Sequence, residues 1–333
     1  MVNNDDGSQK LGVKKFFEKT NRYESRKWED EFTLSLVDKN TGLVKKKLSE
    51  IRVCPICESD SYRDLFVKQG FKHVGCTNCL TIYVSPSLRR EDYNKLWYST
   101  NSPYPFLNTV NSPDQRRFDE KRFLEYIKCI NRLKNPGDLL DVGCGGGHFL
   151  EIAKKSGWRS KGIDIYKRAV DYACSKRLDV VHDDFINYEK KISTENYDLI
   201  TLWEVIDILP NPRQVIEKAI SMLKVGGLLG LSFRNAYSLA AMIMHEKCNI
   251  FLGSNHYQMM RFEAIINLLK SYNLNLEWSA GYISESEIIK NYLNFAEPYT
   301  GKHPKIPELE IFDEDFIHKN RLSYKFSMIF KKV

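Results

Sequence analysis

The chain has 333 residues, 42% of them apolar and 28% charged, with a formal net charge of +7. Such a chain can bury a full core and belongs with soluble globular proteins, with room for one large domain and an appendage. The longest apolar run, AYSLAAMIM at 236–244, is about half of what spans a bilayer. MVNNDDGSQK lacks the apolar core of a secretory signal, so a cytoplasmic location is expected, and Lys and Arg are interleaved with acids, as in SRKWEDEF. That interleaving reads as a solvated mixed surface and argues against a nucleic-acid partner.

Residues 1–20 are polar and expected to fray. FTLSLVDKNTGLVKKKL at 32–48 alternates apolar and polar residues around a Lys-Asn-Thr-Gly turn, which predicts a hairpin. Two C-x₂-C pairs follow, Cys54/Cys57 and Cys76/Cys79, with eighteen residues between them. In an intracellular chain this spacing is a zinc-ribbon signature: each knuckle points two thiolates at one ion, giving a closed tetrahedral Cys₄ set. The expected zinc is structural, with no open position to activate water. Such knuckles favour φ > 0 after the second Cys. Here Glu58 and Leu80 stand there, at a cost of about 1 kcal/mol each.

LRREDYNKLWY (88–98) and QRRFDEKRFLEYIKCINRL (115–133) read as helices flanking a loop rich in aromatic residues and proline. Asn135-Pro136-Gly137 ends the second. Strands and helices then alternate at 139–143, 149–156, 160–165, 167–175, 178–182, 197–203, 211–223 and 226–233. This is the βαβα rhythm of a doubly wound parallel α/β sheet. An insertion (236–258), a helix, a strand, a charged linker and a closing strand complete the chain.

The first core strand runs into Gly143, Gly145 and Gly147, spaced G-x-G-x-G, and then into a helix. Bare backbone N–H groups and a helix N-terminus would meet a ligand there. A dinucleotide site wants its third glycine one residue later, and Asp141, just before the turn, would repel a pyrophosphate. It would welcome a cationic amino-acid ligand, which favours S-adenosylmethionine (SAM) over NAD. Asp164 ends the second strand about twenty residues on, placed to take both ribose hydroxyls. Asp184 (with Asp183 as its rival) and Phe185 follow the third strand, suited to an adenine amino group and ring. A fourth strand ends at Trp203 and Glu204, and Leu223–Gly227 precede a fifth.

With these motifs in order, residues 139–235 resemble class I SAM-dependent methyltransferases. The resemblance implies a Rossmann-like sheet with its last strand antiparallel, a helical cap over the cofactor, and SAM contacts from Asp141, Gly143, Cys144, Gly145, Gly147, Asp164, Ile165, Asp184 and Phe185. Trp203 either lines the methyl channel or packs in the core. Tyr98, Tyr104 and Phe106 either form a lid or pack ribbon against core. The expected division is an N-terminal extension (1–48), a zinc ribbon (49–86), a helical cap (87–136) and the methyltransferase domain (137–333).

Methyl transfer needs alignment and water exclusion more than a fixed catalytic group. The candidates are Glu204 and His256, the latter matching a His-plus-aromatic position of these enzymes; the alternative for His256 is a loop hydrogen bond. Where many relatives read V-x-E-H-L, this chain has Ile208 in place of the histidine. His245 reads as packing or acceptor lining. From residue 50 onward the chain resembles zinc-ribbon methyltransferases of bacterial glycan and natural-product pathways. The expected acceptor is therefore a small polar molecule, a sugar or nucleotide-linked sugar, methylated on oxygen. The rivals are a nucleotide-sugar C-methyltransferase, an RNA base methyltransferase and an inactive binding subunit. Against RNA, the ribbon balances Arg63, Lys68 and Lys72 with Glu58, Asp60 and Asp64.

Overall fold

The computed structural model describes residues 19, 20, 22–98, 106–188, 197–302 and 304–333. Helix α1 (Arg22–Ser35) leads into a single antiparallel bridge, Val37 opposite Val44. The Asp38 carboxylate closes the turn between them, accepting the N–H groups of Asn40 and Thr41. The predicted hairpin over 32–48 shrinks to that bridge. Phe32 is helical because it shares a face with Trp28, four residues earlier, and both rings pack on Trp97. Residues 46–48 form one 3₁₀ turn.

Next come β1 (Ser49–Glu50), β2 (Tyr62–Lys68), β3 (Phe71–Cys76), β4 (Ile82–Val84) and β5 (Ser87–Leu88). β2 and β3 are joined by Gln69-Gly70, both at positive φ, the backbone a two-residue hairpin requires. Three helices follow: α2 (Arg90–Tyr98), α3 (Phe106–Val110) and α4 (Pro113–Leu133). α4 starts with Pro113 in its first turn and the Ser112 hydroxyl accepting the Gln115 N–H, both favourable at a helix start.

The core alternates as expected: β6 (Asp138–Val142), α5 (His148–Lys155), β7 (Arg159–Asp164), α6 (Lys167–Ser175), β8 (Asp179–His182), β9 (Tyr197–Leu202), α7 (Pro212–Met222) and β10 (Leu223–Arg234). Then come α8 (Leu239–Met244), β11 (Gln258–Met259), α9 (Phe262–Lys270) and β12 (Leu274–Tyr282). The segment read as a charged linker contains α10 (Ser286–Leu293) and α11 (Glu314–Lys319), anchored by buried Ile288, Ile289 and Ile317. β13 (Lys325–Lys332) closes the chain.

Seven strands form one sheet, ordered β12-β13-β10-β9-β6-β7-β8. β6 pairs parallel with both β7 and β9, and β13 lies antiparallel between β10 and β12. Leu228 to Phe233 of β10 are all buried, as befits a strand covered on both faces. Strand order reverses beside β6, and the C-terminal ends of strands at such a switch point are where doubly wound sheets bind ligands.

The cysteine ribbon does not stand apart. Its sheet is ordered β11-β4-β3-β2, so its fourth strand comes from the insertion some 170 residues downstream of β4. Cys54, Ile56, Val74 and Tyr83 pack in the same apolar cluster as Ile216 of α7 and Phe262 of α9.

Candidate active site

A cavity of about 1830 Å³ opens over the C-terminal ends of the central strands. That is well beyond the roughly 300–1,000 Å³ of a site for one small molecule. One half is built around the glycine turn. Gly143, Gly145 and Gly147 all have positive φ, at 71°, 52° and 78°, which L side chains rarely adopt. Their surroundings differ. A Cβ on Gly143 would meet Val205 at 2.6 Å and one on Gly147 would meet Leu178 at 2.4 Å, whereas one on Gly145 would meet nothing within 4 Å. Gly143 and Gly147 are tight-packing positions, and Gly145 faces the open cavity.

Two carboxylates frame the turn. Asp164, at the end of β7, accepts the Gly145 N–H at 2.7 Å and the Tyr166 N–H at 2.8 Å. Burial pushes its carboxyl above the ordinary aspartate value, against those hydrogen bonds. Asp141 is 3% exposed and accepts a hydrogen bond from the Thr201 hydroxyl at 2.7 Å. No cation pairs with it among the described residues, and burial raises it to about 7. Asp184 lines the same cavity, ion-paired with Arg90 of α2. Phe185 is buried with Lys218 Nζ 5.3 Å from its ring centre. Cys144 and Ile165 also line the cavity. The Cys144 thiol turns toward Gly162, and burial raises it well above the ordinary thiol value.

The other half lies over β9, β10, β13 and β12. Glu204 follows β9 at φ 59°, a strained conformation of the kind that clusters at functional sites. One carboxylate oxygen pairs with Arg122 of α4 at 2.5 Å and the other with Lys325 of β13. Burial alone would raise it, but Lys325, Arg122 and Arg234 hold this carboxyl well below its ordinary value. Arg122 also pairs with Asp119 at 2.7 Å, and Arg234 with Asp207 at 2.7 Å. His256 is 6% exposed on the cavity wall, with Nδ1 3.3 Å from the Ile250 carbonyl oxygen. Burial, with Arg234 and Lys325 nearby, keeps its imidazole neutral, well below the usual histidine value. Trp203 packs against Tyr126 and Phe149 at 4.6 and 5.6 Å and also lines the cavity.

Comparison with known proteins places the chain in a family. A family described as a methyltransferase domain matches residues 118–278. A ubiquinone biosynthesis O-methyltransferase of Hydrogenovibrio crunogenus is 31% identical over 177 residues, covering 50% of this chain and 69% of that protein. The chain belongs to the SAM-dependent methyltransferases. A second ubiquinone biosynthesis O-methyltransferase, from Actinobacillus pleuropneumoniae, is 30% identical over 171 residues, 47% of this chain and 73% of that one. A SAM-dependent methyltransferase structure from Archaeoglobus fulgidus superposes with a TM-score of 0.49 at 21% identity, over 69% of this chain and all of that one.

In this methyltransferase, Tyr98 stands on the cavity wall, its ring 5.8 Å from that of Tyr166. Tyr104 and the side chain of Phe106, the other lid candidates, lie outside the described residues. Sequence reasoning missed Arg90, Arg122, Arg234 and Lys325. Arg122 had left a signal: it sits four residues from Phe118 and from Tyr126, a cation inside an apolar helical stripe. Lys325 left none, because its partner Glu204 is 121 residues away in the chain.

The sulfur atoms of Cys54, Cys57, Cys76 and Cys79 all lie within 4.8 Å of one another. Cys54–Cys79 and Cys57–Cys76 are each 3.5 Å apart, and a tetrahedral ion with bonds of about 2.3 Å puts its sulfurs about 3.8 Å apart. Glu58 and Leu80 have φ of 59° and 63°, the backbone expected after the second cysteine of each knuckle. No helix among the described residues is long and apolar enough to cross a membrane.

Proposed function

We propose that this methyltransferase transfers the SAM methyl group to a hydroxyl oxygen of a small polar acceptor, a sugar or nucleotide-linked sugar. The observation that carries this reading is the division of one large cavity. Its β6–β8 half offers a glycine turn and carboxylates, and its β9–β12 half is walled by charged and polar side chains. SAM would take the first half: its ammonium beside Asp141, its ribose hydroxyls on Asp164, its adenine beside Asp184 and Phe185, with Gly145 leaving room. The acceptor would take the second.

When bound, SAM supplies an electrophilic methyl group on a good leaving group. The chain's own work is to hold the two reactants in line and exclude water. His256 is neutral and its Nδ1 faces a carbonyl oxygen, which leaves Nε2 as the proton acceptor; it is the proposed base. Glu204, with both oxygens held by cations, is the proposed positioning group: it fixes Arg122 and Lys325 at the boundary between the halves. The similarity to O-methyltransferases supports oxygen as the methylated atom. It also favours a second reading, in which the hydroxyl belongs to a quinone precursor.

The four cysteines fit one structural Zn²⁺, which would hold the ribbon and take no part in the reaction. The test of the functional reading is methyl transfer from methyl-tritiated SAM to sugars, nucleotide sugars, hydroxylated quinone precursors and RNA. Label on a sugar hydroxyl supports the first reading. Label only on the quinone precursor supports the second, and label on RNA alone overturns both.

A further inference from the structure

Glu285 lines the cavity and has no part in the reading above. It follows β12, at the opposite edge of the sheet from the cofactor-side acids, and lines the same cavity. Its Oε2 is enclosed and has no hydrogen-bond partner among the described residues. Two other acids on the cavity wall, Glu204 and Glu310, each pair with a lysine.

The backbone that presents Glu285 is strained. Ile283 and Glu285 have φ of 62° and 53°, and a β-branched residue in that region is a true outlier. Both are pinned. The Ile283 carbonyl accepts the Tyr324 N–H at 2.9 Å, and the Glu285 carbonyl accepts the Ile289 N–H at 3.0 Å as α10 begins. Tyr299, Tyr324, Cys248 and Lys325 all lie within electrostatic reach of its carboxyl, which burial raises to about 8. A buried acceptor without a donor is unfavourable, as is a strained turn of this kind. Holding both at a cavity wall makes sense when a ligand brings the missing donor.

Position says which ligand. β12 is four strand spacings from β6 in the sheet order, about 19 Å at roughly 4.8 Å per strand, so SAM seated over the glycine turn does not cover this edge. We propose that Glu285 anchors the far end of the acceptor. Its carboxyl accepts a hydrogen bond from a hydroxyl or amino group remote from the methylated atom. The inference rests on the reading that this half of the cavity holds a small polar acceptor.

The test uses wild type, Glu285→Gln and Glu285→Ala as full chains. Three probes are offered with methyl-tritiated SAM: methyl α-D-glucoside, UDP-glucose and D-glucosamine. The expected result for Glu285→Ala is a KM at least tenfold higher on the probe that wild type methylates, with SAM affinity unchanged by calorimetry. Its Tm should be equal or higher, because an unpartnered buried group has gone. A KM within twofold of wild type would overturn the anchor, and so would a lowered Tm, which marks a structural role. Glu285→Gln separates the donors: the amide should keep most of the affinity for a hydroxyl and lose it for an ammonium group. Methylation on the glucosamine nitrogen alone would sink the oxygen reading, while the KM comparison on that probe would still judge Glu285.

Discussion

Gly145 and Asp141 give the cofactor half its sharpest tests. Gly145→Arg places a side chain in open cavity, straining a backbone at φ 52° by about 1 kcal/mol. SAM affinity by calorimetry should fall at least ~100-fold while the circular dichroism spectrum stays native; unchanged affinity would remove the turn from the site. Asp141 predicts a pH dependence. Burial raises it to about 7 in the empty protein, so the folded state holds a proton there that the unfolded chain releases above about 4. On its own this makes stability fall as pH rises from about 4 to 7. SAM binding has the opposite sign, since an ammonium needs the ionised carboxylate. The SAM Kd should rise roughly tenfold per unit as pH falls below about 7, and Asp141→Asn should flatten that slope. A wild-type Kd constant from pH 5.5 to 7.5 would contradict the pairing. His256→Ala should slow turnover by about 10²-fold or more with SAM affinity unaltered; full activity would end its role as base.

The cysteine knuckles act as elements, not as single residues. Cys76→Ser should abolish stoichiometric zinc by elemental analysis and lower Tm by at least about 5 °C, because loss of a structural metal site removes folding free energy. Retained metal at one ion per chain would break the four-sulfur assignment. The knuckles were legible from spacing alone, and so was the parallel core, because strict alternation of short buried strands with amphipathic helices is a local pattern. Two elements were not legible, for physical reasons. The end of α1 reads as an alternating strand, but Trp28 and Phe32 find a partner in Trp97, 69 and 65 residues away. α10 and α11 are short and sit in a charged stretch, held by three buried isoleucines whose packing partners come from α8 and the insertion. In the site, the cofactor-side residues are adjacent to strand ends and could be read in order. The Arg122–Glu204–Lys325 network joins three distant elements and could not.

At the scale of the whole molecule, one cavity reaches from Asp184 to Glu285 across the sheet, and the ribbon packs into the same apolar core as the sheet's helices. β11 pairs with β4, the Tyr257 N–H donates to the Asp207 carbonyl oxygen at 2.8 Å, and Arg52 reaches the Pro210 carbonyl oxygen. The loop after β9 is thereby tied to the cysteine sheet. Zinc and SAM should thus be features of one folded unit, present together. Native mass spectrometry of freshly purified protein, with SAM added at the end, tests this directly. One zinc and one SAM per chain are expected, with the SAM increment absent in Gly145→Arg. Zinc without SAM in the wild type would contradict this and leave the cavity without its cofactor.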